Sequence, residues 1–145
     1  MMMSHRIFQT LQPGLPSVLI TVDEEGFGHA VMTWAVAAAS DRVRFAADHR
    51  SRTLANLQRT GKAGLEIIGP GNILAMIKGP ARQVRERLQA APFGMALWEL
   101  TVTDVKDQAW ENVTVSPLTF QWVGPKAEEM RRMEAAVLAE LRDAS

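Results

Sequence analysis

The chain has 145 residues, of which 47% are hydrophobic and 22% charged, the composition of a globular protein with a sizeable core. Its 16 basic and 16 acidic residues cancel, so we expect neither nucleic acid nor a membrane surface as a partner. Cysteine is absent, which excludes disulfides, thiolate metal sites and a cysteine nucleophile.

The first half of the chain predicts a β-hairpin between two short helices. Ser4 can cap the first helix, which the dipeptide "PG" ends. β-Branched and aromatic runs around the turn "DEEG" predict the hairpin, and "VRFAA" predicts a third strand. Leucines at helical spacing, followed by Gly61, predict the second helix. The strands fall at 17–22, 27–36 and 43–47, and the second helix at 52–60.

The second half predicts a further hairpin, more strands and a C-terminal helix. Pro80 indicates an edge position or a bulge in the hairpin, because proline cannot donate to the ladder. The run "RERLQAA" predicts a short helix. The hairpin strands are 63–69 and 73–84, the short helix 85–91, and the later strands 96–108 and 115–123.

The tail 125–145 predicts a helix with one apolar face, which can pack within the molecule, close a barrel end or meet a partner; we expect packing within the molecule. That face carries Met130, Met133, Val137, Leu138 and Leu141.

About six strands, mostly joined as hairpins with only short helices between them, predict a mainly β protein. We expect a small antiparallel barrel rather than a doubly wound sheet.

Common catalytic signatures are missing, so a hydrolase, a nucleoside triphosphatase or a Rossmann enzyme has no support. His5, His29 and His49 lie too far apart for a local metal motif, and we expect no metal site. No secretory signal and no membrane-spanning run is evident. We therefore expect a cytoplasmic protein with a single domain over residues 1–145.

The segment 48–53 is a candidate phosphate site at a helix start. If Ser51 caps the helix, its free N–H groups and its dipole favour an anion beyond the first turn. Arg50 and Arg52 add guanidinium groups suited to phosphate, and the hydroxyls of Ser51 and Thr53 can donate as well. On spacing alone, a capped surface helix with solvated arginines explains the same residues.

Three segments, "VLITVDEEGFGHAVMTWAV", "VRFAADHRSRTLANLQR" and "AGLEII", resemble the pyridoxamine-phosphate-oxidase-like FMN-binding split barrels. The resemblance covers about residues 15–84, and more loosely the strands to Val123. Its most specific part is the family pattern F-x-T-x-x-x-S-x-K-x-x-N-L, which Phe45, Ser51, Asn56 and Leu57 match here. The resemblance implies a six-stranded antiparallel split β-barrel with a C-terminal helix. It further implies FMN as the cofactor and a homodimer with the flavin at the interface.

In that family the loop and helix start hold the FMN phosphate, and the strand matching "HAVMTW" runs along the flavin. The resemblance therefore implies cofactor-binding roles for Met32, Thr33, Trp34, Ala47, Arg50, Ser51, Arg52 and Thr53. Two of these depart from the family, since Ala47 replaces a threonine and Thr53 replaces the phosphate-binding lysine. We expect Arg50 or Arg52 to supply the missing charge.

The residues that hold pyridoxal phosphate in the oxidase proper are not matched, so we do not assign that activity. His29 and Trp34 stand where the oxidase has an arginine and a lysine. Leu74, Ala75 and Met76 stand where it has a polar Gln-Val-Arg run.

Trp34 and three basic residues have two interpretations each. Trp34 can stack on the flavin or belong to the core. We expect Trp98 in the core, and Trp110 and Trp122 at a dimer interface. Lys78, His29 and His49 can serve the site or simply face solvent.

The resulting hypothesis is an FMN-binding flavoprotein that acts as a flavin-dependent oxidoreductase on an unidentified small molecule. The alternative is a non-catalytic binding or sensing module on the same barrel, which holds flavin, or haem through His49 or His29, or no cofactor at all.

Overall fold

The computed structural model describes residues 2–145 as three helices and seven strands. The helices are α1 (His5–Leu11), α2 (Arg52–Thr60) and α3 (Ala127–Asp143). The strands are β1 (Leu15–Val22), β2 (Gly28–Ala39), β3 (Arg42–Asp48), β4 (Lys62–Gly69), β5 (Ile73–Arg85), β6 (Met95–Thr101) and β7 (Asp104–Asp107). The predicted mainly β class with a C-terminal helix is confirmed.

Six strands close into a barrel in the order β4-β1-β2-β3-β6-β5, because β5 pairs back onto β4. Every pairing is antiparallel, and β7 adds to β5 outside the ring. Closure removes the exposed edges of an open sheet. The six-stranded antiparallel barrel predicted from the sequence is confirmed.

Two apolar clusters stabilise this arrangement. One fills the barrel, with Leu19, Phe45, Leu65, Ile77 and Leu100 fully buried. Trp98 belongs to it, as predicted. The other lies between the barrel wall and α3, and includes Trp34, Val36, Leu97, Val137 and Leu141. The apolar face of α3 therefore packs within the molecule, as expected.

Local signals fix both ends of α2, the helix that positions the candidate site. Ser51 is its N-cap, and the Ser51 Oγ accepts a hydrogen bond of 3.1 Å from the N–H of Leu54. Gly61 ends the helix in the left-handed conformation, with φ of +64°. The predicted helix 52–60 is confirmed residue for residue.

The predicted helix at 85–91 is wrong. After β5 ends, the chain forms bends, and three of its N–H groups find acceptors outside the segment. Leu88 N–H donates to Met95 O at 2.8 Å, and the N–H groups of Gln89 and Ala90 donate to the Glu140 carboxylate. Tertiary acceptors thus replace the i−4 carbonyls that a helix would use.

The predicted strand at 115–123 is also wrong, because that segment forms no ladder with any strand. Single contacts hold it, from Val115 N–H to Asn72 Oδ1 at 2.7 Å and from Leu118 N–H to Ile68 O at 2.9 Å. Pro117, which lacks an N–H, interrupts any longer pairing.

The predicted strand 96–108 divides into β6 and β7, because β5 changes partner at Gly79. Before this residue β5 pairs with β7, and after it with β6. A Cβ on Gly79 would lie only 1.9 Å from Thr101 O, so the crossing requires glycine.

Candidate functional site

The barrel wall splits between β2 and β3. These strands pair only where 35–39 faces 42–45. Before Ala35, β2 stays paired with β1 but not with β3, and after Phe45, β3 stays paired with β6 but not with β2. One hydrogen bond crosses the gap, from Thr33 Oγ1 to Ala46 O at 2.7 Å. The split leaves a cleft of about 130 Å³ lined by Val31, Met32, Thr33, Ala46, Ala47, Asp48, Ser51, Thr53 and Met95.

The N-terminus of α2 opens onto this cleft. The Ser51 hydroxyl is fully engaged as a cap, since it accepts from Leu54 N–H and donates to Asp48 O at 2.7 Å. The first intrahelical bond runs from Ala55 N–H to Ser51 O. The N–H groups of Arg52 and Thr53 precede it and find no acceptor within the helix, so they and the helix dipole favour an anion.

Thr53 provides the strongest sign of a ligand. Its side chain lines the cleft and is 2% exposed. Within the described chain, the Thr53 hydroxyl has no hydrogen-bond partner. A buried hydroxyl without a partner costs about 1–3 kcal/mol, which a ligand oxygen beside it would offset. Together with the helix N-terminus, it fits a phosphate group.

The two arginines lie at the rim rather than inside. Both Arg50 and Arg52 are exposed, and neither lines the cleft. Asp48 does line it, and the Asp48 Oδ1 accepts from the N–H of Arg50 at 2.8 Å. The donors inside the cleft are therefore neutral N–H and hydroxyl groups. Positive charge is available only from the arginine side chains at its rim.

A second, aromatic cavity of about 160 Å³ continues from the cleft along β2. The two cavities share Met32, Thr33 and Met95. The aromatic cavity is lined by Pro16, Met32, Thr33, Trp34, Phe93, Met95, Phe120 and Trp122. Phe120 and Trp122 meet edge to face, with ring centroids 5.6 Å apart.

Trp34 is fixed by the C-terminal helix. Its side chain is buried against α3, and its Nε1 donates to Glu134 Oε2 at 2.8 Å. One edge of the indole still lines the aromatic cavity. The core interpretation of Trp34 is therefore confirmed, and its stacking on a flavin stays a prediction.

Sequence reasoning missed Phe93, Met95 and Phe120. The first and last lie outside regular elements, and Met95 is the first residue of β6. No periodicity marks them, and only the packing of α3 and the segment 86–94 brings them to β2.

The other candidate residues lie elsewhere. The His49 Nε2 is hydrogen-bonded to Glu86 O at 2.7 Å. His29 is half-buried opposite Thr21, and Lys78 lies beside Asp104, with 3.8 Å between its Nζ and Oδ2. Nowhere in 2–145 do three or more histidine or carboxylate side chains converge as a metal site would require.

Glu140 of α3 holds the segment that carries Phe93. Its carboxylate accepts from the N–H groups of Gln89 and Ala90 and from Arg85 Nη1 at 2.8 Å. Burial by itself would raise the pKa of Glu140. The two backbone hydrogen bonds and the Arg85 charge outweigh it, so the pKa lies below its ordinary value of 4.5.

We expect Glu140→Gln to lower the free energy of unfolding by about 2 kcal/mol at pH 7, because charge-assisted hydrogen bonds become neutral ones. A lowered carboxyl pKa contributes stability above the unfolded-state pKa, and this is lost as pH falls through the folded-state value. The difference between the parent and the variant in urea unfolding should therefore shrink as the pH falls below the ordinary pKa of 4.5. Glu129→Gln, on the exposed side of α3, is the control; an equal loss in both variants would contradict the role of Glu140.

The barrel is similar to solved structures at low sequence identity. An F420 reductase is 15% identical, with 73% of this chain and 98% of that chain covered and a TM-score of 0.60. The haem storage protein HutZ from Vibrio cholerae is 13% identical, covering 74% and 95%, with a TM-score of 0.56. A pyridoxamine 5'-phosphate oxidase-related, FMN-binding protein from Nostoc punctiforme is 12% identical, covering 62% and 71%, with a TM-score of 0.52.

At such identities the similarity establishes the fold, so the resemblance predicted from the sequence is confirmed at the level of the fold. No protein-family model and no curated protein matches the chain. None of the helices in 2–145 has both the length and the apolar character needed to cross a bilayer.

Proposed function

We propose that the protein is an FMN-binding flavoprotein that acts as a flavin-dependent oxidoreductase. One observation carries the proposal: the buried hydroxyl of Thr53, without a partner, lies at the N-terminus of α2 in a cleft that continues into an aromatic cavity. The cleft suits the phosphate, and the flavin ring would lie along residues 32–34 of β2, beside the aromatic cavity and outside it. A solved structure of the same fold is described as FMN-binding, which adds support.

In this proposal the N–H groups of Arg52 and Thr53 and the Thr53 hydroxyl hold the phosphate. The side chains of Arg50 and Arg52 fold over it from the rim. Ala47, a methyl group where a longer side chain would narrow the cleft, leaves space for the phosphate oxygens. Residues 32–34 position the ring along β2. When bound, the flavin supplies hydride or electron transfer, and the protein binds and orients it.

Parallel titrations with FMN and riboflavin test the cofactor. We expect FMN to bind at least about 100-fold more tightly, because riboflavin lacks the phosphate that two backbone donors and a hydroxyl would bind. Quenching of flavin fluorescence measures both affinities. Arg52→Ala should weaken FMN binding and leave riboflavin binding unchanged. Equal affinities for the two flavins would place the phosphate elsewhere.

The second candidate is a binding or sensing module without turnover, on flavin or haem. A haem storage protein shares the fold. The His49 Nε2 is already hydrogen-bonded to Glu86 O, so this histidine could bind iron only through its Nδ1. Reduction of the bound flavin by a nicotinamide cofactor distinguishes the enzyme from the module. A Soret band lost in His29→Ala or His49→Ala would identify a haem protein.

We further propose a homodimer, in which a second copy covers the outer face of β1, β4 and β5. This face carries an open groove of about 840 Å³ whose apolar lining includes Ile20, Val22 and Met76. Trp110, which follows β7 at the edge of β5, is 74% exposed. The groove crosses three strands and offers a second copy an apolar surface to cover.

Sedimentation equilibrium tests the homodimer, with an expected mass of twice the 16.0 kDa of one chain. Met76→Glu should raise the dissociation constant more than about tenfold, because it places a charge in the apolar interface. Gln58→Glu adds the same charge on the exposed side of α2 and should leave the mass unchanged. A parent protein that sediments as a monomer would contradict this arrangement.

A further inference from the structure

The aromatic cavity beside the cleft has the features of a binding site for a second molecule. Its volume of about 160 Å³ is similar to the roughly 150 Å³ of an engineered apolar cavity that binds benzene, so it admits one aromatic ring. Its lining contains four aromatic side chains, two methionines, a proline and a threonine. The lining carries no charged side chain, which favours a neutral ligand.

The polar groups of this lining are engaged, with one exception. The Thr33 hydroxyl donates to Ala46 O, and the Trp34 Nε1 donates to Glu134. The Nε1 of Trp122 is buried and has no acceptor within the described chain. An indole N–H can only donate, so what it lacks is an acceptor atom.

Trp122 can meet such an acceptor without disturbing the barrel. It lies in the segment before α3 that belongs to no strand, so no ladder fixes its backbone. Its ring makes an edge-to-face contact with Phe120 and packs against the second apolar cluster. Donation into the cavity requires the ring to turn about its side-chain torsions.

We propose that this cavity binds a neutral aromatic carbonyl compound, whose ring packs among the aromatic side chains and whose oxygen accepts a hydrogen bond from Trp122 Nε1. Under the proposed function this compound is the class of substrate that lies beside the flavin, and only that role rests on the proposed function. The binding itself needs no cofactor.

Three matched probes test the proposal: acetophenone, ethylbenzene and benzoate. Acetophenone and ethylbenzene have the same size, but ethylbenzene has no acceptor, and benzoate carries a charge. The chain has four tryptophans, so a two-dimensional NMR spectrum of nitrogen-labelled protein shows four indole N–H signals. Trp122→Phe identifies the one that belongs to Trp122.

We expect acetophenone to move the Trp122 signal downfield to saturation, and to bind at least about fivefold more tightly than ethylbenzene. Benzoate should bind more weakly than acetophenone. Trp122→Phe keeps an aromatic ring but removes the donor, so the preference should reverse in favour of the more apolar ethylbenzene. Trp110→Phe, at an exposed residue outside the cavity, should keep the parent preference.

An unmoved Trp122 signal, or ethylbenzene binding as tightly as acetophenone in the parent protein, would overturn the proposal. So would displacement of acetophenone by saturating FMN, because the flavin ring would then fill the cavity. Acetophenone binding in a protein that fails to bind FMN would leave this inference standing and refute the proposed function. The two failures are therefore distinguishable.

Discussion

Replacing Glu99 by alanine is expected to cost about 3–5 kcal/mol of unfolding free energy, the largest effect we expect from a single substitution. Glu99 is 2% exposed on β6, between two arginines. Its carboxylate accepts from Arg44 Nε at 3.0 Å and from Arg82 Nη2 at 3.0 Å. The side chain of Arg44 is only 11% exposed, so removing Glu99 leaves a buried charge without its counter-charge.

The same cluster anchors the C-terminal helix. The Arg44 guanidinium also donates to the carbonyl oxygens of Leu141 and Ala144, at the end of α3. We therefore expect Glu99→Ala to loosen α3 first, seen as faster amide exchange in that helix than in the barrel strands.

Urea unfolding of two variants distinguishes the loss of the Glu99 ion pairs from the loss of Glu99 packing. Arg82→Ala should cost no more than about 1 kcal/mol, because the Arg82 side chain is 67% exposed and its ion pair is screened. The double variant Arg44→Met, Glu99→Leu should recover most of the loss, since two apolar side chains replace two buried charges. A double variant as unstable as Glu99→Ala would indicate lost packing rather than an unpaired charge.

Replacing Thr53 by aspartate is expected to weaken FMN binding about 100-fold while leaving riboflavin binding within about twofold. The new carboxylate would lie where the phosphate is proposed to bind, so that two negative groups compete for the same donors. A negative charge in the first turn favours α2, which offsets part of the cost of a carboxylate at this buried residue. Fluorescence titration with both flavins measures the effect.

Two further variants calibrate this result. Thr53→Val preserves the shape but removes the hydroxyl, and should weaken FMN binding about five- to tenfold, the contribution of one hydrogen bond. Ala55→Asp adds the same charge to the same turn of α2 at an exposed residue outside the cleft, and should change FMN affinity by less than about twofold. If Ala55→Asp and Thr53→Asp weaken FMN binding equally, the added negative charge repels the phosphate from a distance, and Thr53 does not contact it.

Thr53 is a sharper test than Ser51, although the sequence singles out both. The Ser51 hydroxyl already caps the helix and bonds to Asp48 O, so Ser51→Ala would remove a cap as well as a possible contact. Thr53 makes no such bond, and its hydroxyl can be removed without loss of a hydrogen bond in the described chain.

The sequence by itself determined the elements whose ends and pairings are local. The Ser51 cap and Gly61 set both ends of α2, because each acts on backbone groups within a few residues. The hairpins of β1 with β2 and of β4 with β5 followed from β-branched and apolar runs around glycine-containing turns. With six such strands, barrel closure was the arrangement that left no open edge.

The tertiary structure alone decided what depends on contacts between distant residues. The segment 85–91 was predicted as a helix, yet Glu140, some 50 residues away, provides the acceptors for its N–H groups. The division of 96–108 depended on where β5 crosses at Gly79. The aromatic cavity joins β2 to Phe93 and Trp122, which no local pattern connects. A sequence pattern indicates backbone preferences over one or two helical turns. The features named here depend instead on which distant group accepts a hydrogen bond from a buried donor.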